Sequence, residues 1–223
     1  MRQKTTAVLS AAALVLGMAG TAQAGTLEDV RDRGVLRCVV STGIAGFAQP
    51  DANGVWGGFD IDFCRATAAA VLGDASKIEA VTSTGKTRFT KLNAGEGDVL
   101  WRNTTITFSR DVSVKLRFHG VNYYDGQGFM VKKDLGVSSA SELDGASVCI
   151  QTGTTTELNL ADYFSSNNMN YEPVPIETND EARQNYEAGR CDVYTTDASG
   201  LASTRSALPN PDDHMVLPEI ISK

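Results

Sequence analysis

One seven-residue pattern occurs twice in this chain and restricts what it can fold into more than any other feature. Asn93-Ala94-Gly95-Glu96-Gly97-Asp98-Val99 is echoed by Glu187-Ala188-Gly189-Arg190-Cys191-Asp192-Val193. Each copy runs from a helix end through Gly and Asp into a strand. The same alternation of elements surrounds both. In the first half, a short helix capped by Thr26 is stopped by Gly34, and Val35–Val40 reads as a buried strand. Phe59–Phe63 leads into a helix over Cys64–Leu72 ended by Gly73. A strand near Ile78–Val81, a helix near Lys86–Asn93 and a short strand over Asp98–Trp101 follow. The order then restarts. Strands are expected at Gly126–Val131, Ala146–Ile150, near Tyr171–Ile176 and at Asp192–Thr196. Helices are expected at Ser141–Leu143, Thr154–Phe164 and Asp180–Ala188. Strands alternating with helices imply α/β sheets covered on both faces. The repetition implies two similar α/β lobes.

The first 24 residues stand outside this pattern. Arg2 and Lys4 precede an apolar run from Ala7 to Ala19, and Ala22-Gln23-Ala24 offers the small-x-small site of a signal peptidase. The run is too short to span a bilayer, so it reads as a secretory leader cut before Gly25. No cysteine at the cut is placed to carry a lipid. The chain has 27 acidic and 20 basic residues, and two of the basic ones lie in the leader. That balance argues against a nucleic-acid partner, whose phosphates need clustered Lys and Arg.

Cys38, Cys64, Cys149 and Cys191 fall two to each half. None form C-x-x-C, and His119 and His214 are distant in sequence, so neither a zinc site nor a cofactor is expected. An even count in an exported chain suggests disulfides. Three pairings are possible. Cys38–Cys64 with Cys149–Cys191 is favoured because each bridge stays within one half; buried free thiols are the alternative.

Open α/β sheets bind ligands beyond the C-terminal ends of their strands, and three segments sit there. Arg102-Asn103-Thr104-Thr105-Ile106-Thr107-Phe108-Ser109-Arg110 follows a strand, and its hydroxyls, amide and guanidinium can converge on one anion. Read as structure alone, it is a solvated loop. Gln151-Thr152-Gly153-Thr154-Thr155-Thr156-Glu157 opens a helix whose free N–H groups favour an anion, while Thr154 and Glu157 also have capping-box spacing. Asp197 ends a strand, where it can accept hydrogen bonds from an ammonium or simply cap the next helix. A positive and a negative grip at one edge of two lobes suit a zwitterion.

Taken in order, Gly58-Phe59-Asp60-Ile61-Asp62, Asn103 to Arg110, Val121-Asn122-Tyr123-Tyr124, Gly153-Thr154-Thr155 and Asp197 resemble the periplasmic polar amino-acid-binding proteins of ABC transporters, solute-binding family 3. The general L-amino-acid branch is the most similar. The resemblance covers essentially the whole mature chain. It implies a two-lobed, type II periplasmic-binding-protein-like α/β fold, with lobe one over 25–123, lobe two over 124–217 and the start of a crossover at 218–223. Relatives continue for about another hundred residues back into lobe one, so a truncated form of that fold is expected, with lobe-one apolar surface left uncovered. By resemblance, Arg110 holds the ligand α-carboxylate with Thr105 and the Thr155 amide. Asp197 takes the α-ammonium, Asn103 lines the lobe-one side, Thr154 belongs to the second segment, and Phe47 forms an aromatic wall. Trp101 and Ile106 depart from the usual residues at their positions, which bears on side-chain preference. The implied partners are free L-amino acids and the membrane subunits of an ABC permease. A monomeric, periplasmic, non-catalytic protein is expected.

Two other classes compete. Exported relatives of this fold include cyclohexadienyl dehydratases, which need a catalytic acid or base in the cleft; Asp197 is the only candidate. A ligand-sensing ectodomain would need a membrane helix elsewhere. Ser83-Thr84-Gly85-Lys86 matches the S-x-x-K of penicillin-interacting enzymes, with Ser166-Asn167-Asn168 as a partial second motif, but no K-T-G accompanies them.

Overall fold

The computed structural model describes residues 26–222. The leader and its cut before Gly25 lie outside them. In chain order the first elements are α1 (Thr26–Arg33), β1 (Leu36–Ser41), β2 (Gln49–Pro50), β3 (Trp56–Gly57), α2 (Phe59–Leu72), β4 (Ile78–Ser83), α3 (Arg88–Asn93), β5 (Val99–Leu100) and α4 (Phe108–Val112). After an irregular stretch come β6 (Gln127–Lys132), β7 (Ser147–Gln151), α5 (Thr155–Ser166), β8 (Glu172–Ile176), α6 (Asn179–Glu187), β9 (Val193–Asp197), α7 (Ala198–Ser206) and β10 (His214–Val216).

The two copies of the repeated pattern do the same job in two sheets. Asp98 accepts a hydrogen bond from Arg37 N and donates its own N–H to Arg37 O, both at 2.8 Å. Asp192 accepts from Ser147 N at 3.0 Å and donates to Ser147 O at 2.9 Å. In each lobe the aspartate therefore pins the strand after a helix to the start of its neighbour. That shared anchoring is why the two sequences match.

Lobe one is a parallel sheet in the order β4-β1-β5. Its central strand is buried because helices cover it, as parallel strands require. Cys38 and Val40 face α2 and pack with Ile61, Cys64 and Ala68. The helix starts at Phe59, earlier than the alanine-rich run alone suggests. The turn into it leaves no room for a side chain at Gly58, where a Cβ would lie 2.5 Å from Phe47 O.

Lobe two is a five-stranded sheet in the order β10-β6-β9-β7-β8. Strands β7, β8 and β9 are parallel; β6 runs antiparallel to β9, and β10 to β6. Period-two alternation divides its side chains between two cores. Phe129, Val131, Val148 and Ile150 pack with α5 through Leu160 and Phe164. Met130, Cys149 and Tyr194 pack on the other face with Ala182, Tyr186 and Leu201 of α6 and α7. Pro173 and Pro175 are tolerated because β8 is an edge strand.

Each lobe carries one disulfide, Cys38–Cys64 and Cys149–Cys191, with Cα separations of 6.2 and 5.6 Å. Residues 113–126 link the lobes, running from α4 to β6, and Ile220–Ser222 lies beside the end of that segment, where Gln127 N donates to Ser222 O at 2.8 Å. No helix among the described residues is long and apolar enough to cross a membrane.

Candidate functional site

The lobes meet face to face. Thr105 Oγ1 in lobe one lies 3.1 Å from Thr155 Oγ1 in lobe two. Ser203 Oγ donates to Ala45 O at 2.9 Å, and Asn179 Nδ2 to Gly43 O at 3.3 Å. Gly85 and Gly153 allow the backbones to approach, since a Cβ on Gly85 would sit 2.8 Å from Thr152 O and one on Gly153 3.0 Å from Lys86 Cα.

A cavity of about 480 Å³ opens in this gap and continues past β5 toward residues 116–126. Phe47, Asn103, Thr105, Thr155 and Asp197 all line it. Arg110 is not in the lining; it is buried in α4, a helix that the sequence pattern leaves as loop. Thr107 caps that helix by accepting from Arg110 N, and Arg110 Nη1 donates to Thr105 O at 2.7 Å. Thr154 also stands back. Its hydroxyl donates to Gln151 O at 2.7 Å and accepts from Glu157 N at 3.2 Å, so it caps α5. Glu157 accepts from Gly153 N, one residue earlier than the usual capping box.

Asp197 ends β9 and makes no capping hydrogen bond to α7, so its carboxylate is not spent on the helix. Burial pushes it up to about 6, the nearby Asp125 charge adds to this, and Asn103, Arg88 and Arg102 pull it back. Asn103 and both arginines belong to lobe one, so this carboxylate is read across the gap. Asp125 is held by Ser199 Oγ and by Gly126 N.

Five further residues were given no individual role from sequence. Arg102 is 6% exposed, lines the cavity, and has no partner for Nε or Nη1. Burial lowers it to about 10, opposed by Asp60 and Asp197. Arg88 is 2% exposed; burial and then the Arg102 and Arg110 charges lower it to about 8. Asp60, in the first turn of α2, is 3% exposed with Oδ2 unpartnered, and burial raises it to about 6 against the pull of Arg102. Phe59 and Tyr123 complete an aromatic wall with Phe47, each pair edge-on at 5.6–6.0 Å between ring centres. Arg88 and Arg102 both follow a strand end, the same signal that marks Asp197, but nothing local distinguishes them from surface arginines.

Trp101 stacks on Phe63 at 4.9 Å and donates to Thr67 Oγ1, which ties it to the lobe-one core at the cavity edge. Ser83 donates to Val40 O, while Lys86 points out toward Glu177. The S-x-x-K spacing is therefore a strand end and a surface lysine.

A cleft between two α/β lobes, with opposite charges facing across it, is the arrangement of an established family. The family of bacterial extracellular solute-binding proteins, family 3, matches residues 36–167. The chain belongs to that family. Among its relatives is the glutamate/glutamine/aspartate/asparagine-binding protein BztA of Rhodobacter capsulatus, 60% identical over 99% of this chain and 65% of BztA. The general L-amino acid-binding periplasmic protein AapJ of Rhizobium johnstonii is 57% identical over 97% of this chain and 63% of AapJ. A solved ABC transporter periplasmic binding protein from Brucella ovis with glutathione bound superposes with a TM-score of 0.86 at 56% identity. That match covers 89% of this chain and 63% of the Brucella protein. The chain thus spans less than two thirds of the length of these family members.

Proposed function

We propose that this protein captures free L-amino acids between its lobes and presents them to the membrane subunits of an ABC importer. The observation that carries this reading is the charge pattern across the gap, with the Asp197 carboxylate of lobe two facing the lobe-one side chains of Asn103, Arg88 and Arg102. A zwitterion satisfies both sides at once. In this reading Arg110 grips the α-carboxylate with Thr105 and the Thr155 amide, Asp197 takes the α-ammonium, and Phe47 walls the side chain. Thr154 acts indirectly, by ordering the first turn of α5. Arg suits a carboxylate because its planar fork can form two parallel hydrogen bonds.

Lobe one comprises 25–123 and lobe two 124–217, with a crossover starting at 218–223. Hinges lie near Tyr123–Gln127 and Leu217–Ile220. Ligand touches both lobes only when the gap closes, so its differential affinity for the closed form drives the motion. The protein acts as a periplasmic monomer after its leader is cut before Gly25.

Calorimetric titration with L-amino acids tests this directly. Glutathione belongs in the ligand panel because the Brucella ovis relative holds it. Arg110→Ala and Asp197→Ala are each expected to weaken binding at least a hundredfold. Unchanged binding by either variant removes that residue from the grip. A dehydratase-like reading draws on the two cavity carboxyls held near 6, Asp60 and Asp197. Incubation with prephenate or arogenate followed by an absorbance scan for aromatic product decides it.

A further inference from the structure

Three guanidiniums crowd the lobe-one side of the cleft, and the grip proposed above uses only one. Arg110 has a short hydrogen bond to Thr105 O. Arg88 reaches Asn103 O and, across the gap, Gly153 O, each at 3.5 Å, with its Nε unpartnered. Arg102 is different. It is more than nine-tenths buried, it borders the cavity, and neither Nε nor Nη1 meets an acceptor in the protein. The opposite charge that acts on it most strongly is Asp60, whose Oδ2 is also without a partner. A buried guanidinium left in that state is costly, because both its charge and its N–H groups have lost water.

We propose that Arg102 is a second anion anchor, which receives the side-chain carboxylate of an acidic L-amino acid while Arg110 holds the α-carboxylate. The ligand class is amino dicarboxylates such as glutamate and aspartate. This rests on the reading of the cleft given above. A second carboxylate supplies acceptors for the unpartnered N–H groups and the charge that three neighbouring guanidiniums call for. A side-chain amide supplies one acceptor oxygen but turns an NH2 toward a cation, and an aliphatic chain supplies neither. The lining of the cavity sharpens the discrimination. Phe47, Phe59 and Tyr123 wall the cavity with aromatic rings, which lowers the local dielectric and strengthens the ion pair. Arg88 is a positioning residue here. Its charge interacts with that of Arg102, and it reaches across the gap to Gly153 O.

The test is calorimetry of the purified protein at pH 7.5 with L-glutamate, L-glutamine and L-methionine, on wild type, Arg102→Gln and Arg102→Lys. Wild type is expected to bind glutamate at least tenfold more tightly than glutamine, and methionine more weakly still. Arg102→Gln is expected to weaken glutamate at least thirtyfold and glutamine less than threefold, which erases the preference. Arg102→Lys is expected to retain part of it. Equal wild-type affinity for glutamate and glutamine overturns the proposal, as does an Arg102→Gln variant that weakens both alike. If neither Arg102 variant folds by circular dichroism, the wild-type ratio and its loss with rising salt decide. Absence of binding by any amino acid to wild type removes the cleft reading itself, whereas full binding by Arg110→Ala removes only Arg110 from the grip. A glutamine-binding protein with no acid preference removes only the role of Arg102.

Discussion

The sheet of lobe two is packed on both faces, by α5 on one side and by α6 and α7 on the other, each over its own buried cluster. Among the described residues, the smaller sheet of lobe one has one buried cluster, beneath α2. Beyond that sheet, Phe108 in α4 and Tyr124 in the segment after it stand 82% and 90% exposed. Lobe two thus supplies a rigid frame and one carboxylate. Lobe one holds the three arginines on a lighter scaffold. Charged groups desolvated on a thin support are stabilised by whatever closes over them, so lobe one is expected to be the part whose local stability follows ligand and lobe contact.

The disulfides give the sharpest way to break this comparison. The Cys38–Cys64 bridge closes a separation of 26 residues and the Cys149–Cys191 bridge one of 42. Loop entropy alone assigns about 3–4 kcal/mol to each, slightly more to the longer loop. The packing difference predicts the opposite ranking. A Cys38→Ala/Cys64→Ala pair should lower the melting temperature more than Cys149→Ala/Cys191→Ala, since the described residues of lobe one form a single core cluster against two in lobe two. A larger drop from the lobe-two pair would show that core number does not set the order.

Acidity separates the two lobes' carboxyls from their ligand. Asp60 in lobe one and Asp197 in lobe two are both raised from 3.8 to about 6. In that window the folded protein keeps protons that the unfolded chain has released, so what these groups contribute to stability declines as pH rises through it. Ligand binding runs the other way, because an ammonium prefers ionised Asp197. Affinity should fall below about pH 6, by up to about tenfold per unit, and Asp197→Asn should flatten the profile. A slope that survives in Asp197→Asn but disappears in Asp60→Asn would move the effect to lobe one.

Smaller effects are expected at the contact between lobes and on the open face. Thr105→Val removes the hydroxyl pair with Thr155 and should weaken ligand binding by about 1 kcal/mol, with little change in the melting temperature without ligand. Phe108→Ser replaces an exposed ring and should change stability by no more than about 0.5 kcal/mol. A loss of several kcal/mol by denaturant titration would mean that the face is buried in solution.

Much of the architecture was legible in the residues alone. Helices and strands of lobe two could be placed from periodicity, and the Gly and Asp of the repeated pattern marked where helices hand over to strands, because those signals are local. Element ends were less legible. The five-residue α4 has too few turns to show a period, and β10 is three residues that become a strand only by pairing with β6. The cysteine spacing left three pairings open until both bridges were seen within their lobes.

For the site, strand ends pointed to Asn103, Thr105, Thr155 and Asp197, and the structure places all four around one cavity. Arg88, Arg102 and Asp60 received no individual role, although Arg102 opens the anion-binding segment and Asp60 lies in a segment of the resemblance, since no local pattern marks a side chain that will lose its water. Arg88 reaches Gly153, 65 residues on, in the other lobe, and Asp197 draws on side chains about a hundred positions earlier in the chain. Local composition determined the strands, helices and boundaries, because each depends on a few adjacent residues. Which charges lie dry and face one another was decided only when two lobes came together, because desolvation depends on what covers a group and not on its sequence neighbours.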